Sequence, residues 1–229
     1  MNDRKGFLFL QGPVGRFFPK LADALEADGH TALRINLCLG DRTFWRRVGA
    51  VDYRGSQAAW PSFVRNFYAQ HGVTNIILLG EQREYHKQAI EIADQMGIHV
   101  TVTDFGYLRP DWITWEERAM NGGSLLPRDP QRLRRIVNQT EDEPLDLSRR
   151  FYPNFWSMAL PDLIYNILSQ LGWFLYPFYQ SHQKYNVAAT YIGTLWRLLT
   201  SGRRARHAND LSARQRPRSW CTLCFCSHC

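Results

Sequence analysis

Short apolar runs alternate with longer amphipathic segments through the first half of the chain. Phe17, Leu21 and Leu25 recur at helical spacing, and Gly29 ends that pattern. Strand, loop and helix follow one another repeatedly, which is typical of a parallel sheet with crossover helices. We therefore expect an α/β, Rossmann-like lobe over residues 1–118, with about four parallel strands. The predicted strands are 6–10, 31–37, 74–79 and 98–103, and the helices after the first are 60–70 and 84–96.

A polar loop follows each predicted strand, and the segment 40–47 is interpreted as one of these loops. In an open parallel sheet, ligands bind beyond the carboxyl ends of the strands, so the loops are expected to meet at one edge. The candidate catalytic residues in these loops are Asp104 and His86, and the candidate substrate-binding residues are Gly12, Gly15, Asp41, Arg83, Tyr107, Arg109 and Asp111.

Each candidate also has an ordinary structural interpretation. The loop with Gly12 and Gly15 precedes a helix, where backbone N–H groups can hold an anion, but it also fits a tight turn. His86 is either an acid/base group or a solvated histidine. Asp104 suits a nucleophile, a base or an acceptor for sugar hydroxyls, and Arg109 suits a phosphate or carboxylate. Alternatively, Asp104 caps a turn and pairs with Arg109.

Composition narrows the class of protein. The chain has 229 residues, 45% of them hydrophobic and 14% aromatic, which is enough to fill a core. Its formal charge of +7 favours anionic partners, and charge does not choose among nucleic acid, nucleotide phosphates and acidic lipid head groups. The first apolar run is too short for a signal peptide, so we expect a cytoplasmic chain.

The pattern changes after residue 118, and a mainly helical, aromatic-rich segment is predicted over 119–201. Residues 155–179 contain one charged side chain, Asp162. Prolines and polar amides in this stretch disfavour a transmembrane span and favour a pair of core or interfacial helices. Residues 202–229 are basic and rich in cysteine, and we expect them to be disordered. Their C-x2-C-x-C-x2-C spacing fits either an aberrant tail or a zinc site.

Four stretches, in this order and spacing, resemble capsular polysaccharide biosynthesis/export proteins of the KpsS/LipB family. They are FLQGPVGRFFPKLADALEADGH, RINLCLGDRTFW, GEQREYHKQAIEIADQMGI and FGYLRPDWITWE. The resemblance implies a cytoplasmic glycosyltransferase, peripheral at the inner membrane of Gram-negative bacteria, with a two-lobed GT-B-like architecture. It implies transfer of β-Kdo from CMP-Kdo to a phosphatidylglycerol-type lipid, which begins the poly-Kdo linker of a capsule chain.

The resemblance also sets expectations for partners and for completeness. Capsule assembly and export proteins are implied as partners, whereas nucleic acid, metals and cofactors other than the donor CMP-Kdo are not. Asp104-Phe105 stands where the family usually has an acidic pair. The resemblance is expected to stop near Arg214, so a truncated chain without the donor-binding lobe is expected to be inactive or very weak.

Two functions of other classes remain open on the sequence. One is a non-catalytic accessory protein of capsule assembly and export, which docks on a membrane through the aromatic segment 155–179. The other is a zinc-dependent nucleic-acid binder that uses the basic stretch and the terminal cysteines, although aromatic residues are not interleaved with those arginines.

Overall fold

The sheet is the central element of a computed structural model that describes residues 4–105, 112–139, 155–181, 189–194, 196–197 and 199–201. It has six strands in the order β3-β2-β1-β4-β5-β6. The first five strands are parallel to their neighbours, and the sixth is antiparallel to the fifth. The strands are β1 (Gly6–Phe9), β2 (Thr31–Asn36), β3 (Ala50–Asp52), β4 (Asn75–Leu79), β5 (His99–Phe105) and β6 (Ile113–Glu117).

The helices mostly connect parallel strands, as a Rossmann-like α/β fold requires. Gly72 and Gly97 end two of them with positive φ values of 59° and 68°, a conformation that glycine adopts without steric cost. This architecture confirms the predicted fold class. The helices are α1 (Phe17–Ala27), α2 (Leu39–Trp45), α3 (Trp60–His71), α4 (Glu84–Met96), α5 (Pro130–Gln139) and α6 (Phe155–Leu171).

The parallel strands are apolar on both faces because helices cover both faces. Successive residues of a strand point to opposite faces, so Leu8 and Leu10 join one buried cluster while Phe9 joins the other. Trp60 fills the first cluster, and Trp45 fills the second. The sheet is therefore the shared wall of two cores.

The strand order reverses direction between β1 and β4, because the chain moves outward to β3 on one side and to β5 on the other. In doubly wound sheets, such a switch point leaves a crevice at the carboxyl ends of the strands. The segments that follow β1, β2, β4 and β5 begin at this carboxyl edge.

Two expectations about the elements were wrong, and two strands were not predicted. Residues 40–47 were expected to be a loop, but Leu39–Trp45 form α2, which packs against α6. Residues 155–179 were expected to form a helix pair, but α6 is one helix followed by a short 3-10 turn at Gly172–Phe174. Strands β3 and β6 were not predicted. These elements are short and depend on distant partners, so local periodicity does not reveal them.

By internal contacts, residues 1–182 form one compact unit and residues 183–229 a second. Helix α6 thus belongs to the same unit as the sheet. In the second unit, the described residues 189–194, 196–197 and 199–201 are helical. Within the described part of the chain, no helix is both long and apolar enough to cross a membrane.

Candidate functional site

The carboxyl edge of the sheet brings several of the predicted site residues to one side of the fold. Gly12 and Gly15 follow β1, and Asp41 lies on α2 just after β2. Arg83 and His86 lie at the start of α4, beyond β4, and Asp104 is the penultimate residue of β5. Tyr107, Arg109 and Asp111 lie outside the described residues, and their placement stays a prediction.

Asp41 is the centre of a buried polar network and is only 2% exposed. Its Oδ1 atom is 3.2 Å from Nη2 of Arg34 and accepts a 3.1 Å hydrogen bond from the Tyr165 hydroxyl. Its Oδ2 atom accepts bonds of 3.1 Å from Nε2 of Gln11 and 3.0 Å from the backbone N–H of Leu37. Both carboxylate oxygens are therefore engaged by protein donors in this conformation.

Arg34 completes this network, although sequence reasoning missed it. Its side chain lies on the face of β2 that also carries Ala32 and Asn36. Its Nη1 group donates to the carbonyl of Leu10, and its Nε group donates to Oδ1 of Asn36 at 3.3 Å. The guanidinium lies 5.5 Å from the ring centroid of Trp45. A charged residue inside the predicted strand TALRINL was the available signal for a buried ion pair.

The glycine loop encloses only a small cavity. Gly12, Gly15, Arg34, Asp41 and Tyr165 are among its lining residues, and its volume is about 20 Å³, which is room for about one water molecule. A Cβ atom on Gly12 would overlap the Phe18 ring, so this position needs glycine for packing. Gly12, Gly15 and Asp41 therefore line the same cavity, as the positions of their segments after neighbouring strands predicted. Protein side chains occupy most of the space between them.

His86 is fully buried at the start of α4. Its Nδ1 atom lies 2.7 Å from the carbonyl oxygen of Gly80. Because a carbonyl only accepts, Nδ1 carries the proton when the ring is neutral, and Nε2 is then the basic nitrogen. The solvated histidine considered from the sequence is thus wrong, because the ring is inside the protein.

Asp104 is half-buried at the end of β5, where it lies opposite Thr114 of β6. Its Oδ1 atom accepts a 2.7 Å hydrogen bond from the backbone N–H of Phe105. This is a local capping contact, as one of the two interpretations of the sequence anticipated. The proposed ion pair with Arg109 falls outside the described residues.

Helix α6 and the segment after it close the carboxyl edge near β1 and β2. Ser169 and Tyr165 lie against Gly40, where an added Cβ would stand 2.5 Å from the Ser169 hydroxyl and 2.7 Å from the Tyr165 ring. The Tyr179 hydroxyl accepts a 3.2 Å hydrogen bond from Nε2 of Gln11. We call Tyr165, Ser169 and Tyr179 the hydroxyl cover. Burial raises the pKa of Tyr165, as does the negative charge of Asp41, so this phenol remains protonated.

Cys38 lies beneath the hydroxyl cover, with its sulfur 3.3 Å from the Ser169 hydroxyl and 3.5 Å from the Tyr165 hydroxyl. Burial, and then the nearby charge of Asp41, raise the pKa of this thiol to about 12. Because the thiolate is the nucleophile, Cys38 should react slowly with alkylating agents.

Iodoacetamide labelling tests this expectation, with mass spectrometry of the peptide that carries Cys38. At about pH 8, the native chain should be labelled at least about tenfold more slowly at Cys38 than the chain unfolded in urea. The unfolded chain is the control for the intrinsic reactivity of the same peptide. Equal rates would show that the hydroxyl cover does not protect the thiol.

Comparison with known proteins adds an independent observation. A family model described as "Capsule polysaccharide biosynthesis protein" matches residues 74–224, which is well over half of the chain. The chain belongs to this family. The match continues past Arg214, the expected end of the resemblance, to residue 224. It includes β4, α4, β5 and α6, whereas Gly12, Gly15 and Asp41 precede it.

Two individual relatives of this capsule polysaccharide biosynthesis family member also have names that refer to capsule polysaccharide. "Capsule polysaccharide export protein KpsS" of Escherichia coli is 30% identical over 199 residues, covering 84% of this chain and 49% of the relative. "Capsule polysaccharide modification protein LipB" of Neisseria meningitidis serogroup A is 35% identical over 130 residues, covering 56% of this chain and 31% of the relative. The chain thus spans about half the length, or less, of these curated relatives.

The match to a solved structure is weaker than the matches to the family model and to the curated relatives. A SAM-dependent methyltransferase from Archaeoglobus fulgidus aligns with a TM-score of 0.32 at 9% identity, covering 74% of this chain and 80% of that chain. A score this low carries no inference about this family member.

Metal binding has no support in the described residues, which contain no group of three or more His, Cys, Asp or Glu placed to hold an ion. The four cysteines that motivated the zinc alternative, Cys221, Cys224, Cys226 and Cys229, lie outside the described residues. The zinc alternative therefore stays an untested hypothesis of the sequence.

Proposed function

We propose that this chain is the N-terminal, acceptor-side lobe of a glycosyltransferase that begins the poly-Kdo linker of a capsular polysaccharide. The reaction transfers β-Kdo from CMP-Kdo to a phosphatidylglycerol-type lipid at the inner-membrane surface, next to the proteins of capsule assembly and export. Membership of the capsule polysaccharide biosynthesis family carries the proposal. The resemblance of the loop sequences to the KpsS/LipB family supplies the donor and acceptor.

The chemistry that this reaction needs is compatible with the carboxyl-edge residues. The bond between the anomeric carbon of Kdo and the CMP phosphate breaks, a bond to a lipid hydroxyl forms, and that hydroxyl loses its proton. A carboxylate near the anomeric carbon suits such a transfer if configuration is retained. In our proposal Asp104 takes this role, and His86, at the start of α4, acts as the neutral base.

Four of the remaining candidates are proposed to hold substrate rather than react with it. Arg83 is half-buried at the start of α4, and we propose that it attracts the carboxylate or phosphate of a substrate. Tyr107, Arg109 and Asp111 follow Asp104 in sequence, and we assign them to the same subsite. In a GT-B-like enzyme a second lobe supplies much of the donor site, so activity is proposed for the lobe together with such a partner.

A transfer assay tests the proposal. The chain is joined to the C-terminal half of the Escherichia coli relative and incubated with CMP-Kdo and a fluorescent phosphatidylglycerol analogue. We expect a Kdo-lipid product from the chimera. An inert chimera, beside an active full-length relative, would contradict the assignment.

Within an active chimera, Asp104→Asn should lower the rate of transfer at least about tenfold, because it removes the carboxylate charge while preserving shape. Asp28→Asn is the matched control, since Asp28 is exposed at the end of α1. The control should keep the parental rate. If both variants transfer Kdo at that rate, Asp104 has no catalytic role.

A non-catalytic accessory protein that docks on a membrane is the second candidate. One observation favours it: large apolar side chains are exposed on α6 and the segment after it, with Trp173 71% and Phe174 64% exposed. The exposed large apolar side chains of this region are Trp156, Met158, Leu160, Ile164, Ile167, Leu171, Trp173, Phe174 and Phe178.

Liposome flotation separates the two functions. Binding to phosphatidylglycerol vesicles without transfer by the chimera supports the accessory function, and product formation excludes it as the sole function.

A further inference from the structure

An open cleft of about 440 Å³ lies beside the edge strand β3, at the C-terminal end of α2. We call it the arginine cleft. Its volume is in the range of sites that hold small molecules. Its lining residues precede residues 74–224, the range that the family model matches. The lining residues that matter here are Asn36, Arg42, Trp45, Arg46, Arg47 and Asp52.

The lining of the arginine cleft has three guanidinium groups and one carboxylate, Asp52. Arg42 is paired with Asp52, with its Nη1 atom 2.9 Å from Oδ2. Arg47 is held by Asp23 and by Glu26 of α1. Arg46 is exposed and forms no ion pair with any residue in the described part of the chain. The cleft therefore keeps positive charge that the protein itself does not neutralise.

The backbone of Arg46 strengthens this observation. Arg46 is the C-cap of α2 with φ 46° and ψ 33°, a left-handed conformation that costs a non-glycine residue about 1–2 kcal/mol. Glycine is the usual residue at such a helix end. The Nε atom of Arg46 donates to the carbonyl of Thr43 at 3.0 Å, which uses one of its five N–H donors. This contact orients the guanidinium, and the Nη donors stay at the exposed end of the side chain.

Groups that can bind hydroxyls lie beside this charge. Nδ2 of Asn36 donates to Oδ1 of Asp52 at 3.0 Å, so the two side chains form one fixed polar wall at the ends of β2 and β3. Trp45 forms an apolar wall of the cleft. A hydroxylated ligand with one anionic group matches this combination.

We propose that the arginine cleft binds a sugar or glycerol moiety that carries a phosphate or a carboxylate, with Arg46 and Arg42 on the anion and Asp52 on a hydroxyl. This subsite lies beside the edge strand β3, whereas the candidate catalytic residues His86 and Asp104 lie after β4 and on β5, and the proposal does not depend on the transfer reaction. Its ligand is defined by an oxyanion on a hydroxylated carrier.

Isothermal titration calorimetry of the full chain tests the proposal with three probes: inorganic phosphate, sn-glycerol 3-phosphate and glucuronate. We expect glycerol 3-phosphate or glucuronate to bind more tightly than inorganic phosphate. Tighter binding of glycerol 3-phosphate indicates a phosphate-bearing ligand, and tighter binding of glucuronate indicates a sugar acid. Absence of binding, or equal binding of all three anions, would overturn the proposal.

Arg46→Gly is the decisive variant, because glycine relieves the backbone strain while it removes the guanidinium. It should weaken binding at least about tenfold without lowering the melting temperature. Arg118→Gly is the matched control, since Arg118 also has a positive φ, 66°, but pairs with Asp94 outside the cleft. Unchanged affinity in Arg46→Gly, or an equal loss in Arg118→Gly, would refute the site whatever the transfer assay shows.

Discussion

Replacing Asp41 with leucine should lower the free energy of unfolding by about 3–5 kcal/mol, because Arg34 is left as a buried charge without its partner. Arg34 is 4% exposed and therefore recovers little solvation from water. The same substitution also removes the acceptor for Gln11 and for the Tyr165 hydroxyl. Urea unfolding followed by circular dichroism measures the loss.

A double-mutant cycle separates the ion pair from general damage to the core. Arg34→Met combined with Asp41→Leu should recover at least half of the stability lost by Asp41→Leu, because no charge is then left unpaired. Asp94→Asn is the surface control, since Asp94 is exposed and pairs with the exposed Arg118, and it should cost at most about 1 kcal/mol. Additive losses in the double mutant would contradict the buried ion pair.

Gly40→Ala should lower the free energy of unfolding by about 2–3 kcal/mol, because its Cβ would stand within 2.8 Å of Tyr165 and Ser169. Helix α6 must move away from α2 to accept the methyl group. Movement of α6 carries Tyr165 and Ser169 away from Cys38. Iodoacetamide labelling of Cys38 should therefore become faster in the native chain. Urea unfolding and labelling thus report the same displacement independently.

Gly122→Ala is the matched control for this change. No atom lies within 4 Å of the position where its Cβ would be, and its φ is not in the positive range. It should leave both the free energy of unfolding and the labelling of Cys38 close to those of the parent chain. A Gly40→Ala chain that behaves like Gly122→Ala would show that α6 does not pack tightly on α2.

Strong periodicity made much of the fold predictable. Helix α4 has the predicted bounds 84–96, because its apolar face recurs regularly and Gly97 ends it. Helix α5, Pro130–Gln139, lies within the segment 119–201 that was predicted to be mainly helical. The strand order follows from repeated strand–helix units, although the antiparallel β6 adds an edge that no such unit predicts.

The candidate site was only partly predictable, because its closing contacts join residues far apart in sequence. Gly12, Gly15 and Asp41 line one cavity, as their positions after neighbouring strands suggested. Tyr165 reaches Asp41 across 124 positions, and Tyr179 reaches Gln11 across 168. Neither tyrosine stands in a motif, so sequence spacing offers no signal for the hydroxyl cover. Helix α2 was predicted to be a loop for the same reason, because it packs against α6, which is far away in sequence.

The buried network has a consequence for the proposed function. At the carboxyl edge near β1 and β2, polar groups that could bind a hydroxylated substrate are satisfied by the tyrosine hydroxyls of the hydroxyl cover. A substrate hydroxyl offers Asp41 and Gln11 the same hydrogen-bonding groups as a phenol. Under the proposed function, a substrate that binds near Asp41 would therefore have to displace Tyr165 or Tyr179. The segments that carry His86 and Asp104 follow or end β4 and β5, on the other side of the switch point between β1 and β4.

Hydrogen–deuterium exchange with a short-chain phosphatidylglycerol tests the central claim, that the carboxyl edge of the sheet is the substrate site, most directly. Peptides covering 11–15, 38–45, 80–86 and the end of β5 should change their exchange when the lipid is added, and α6 should change with them. The amino edge, including the end of α1, serves as the internal control and should stay the same. Changes confined to surfaces away from these four segments would contradict the claim.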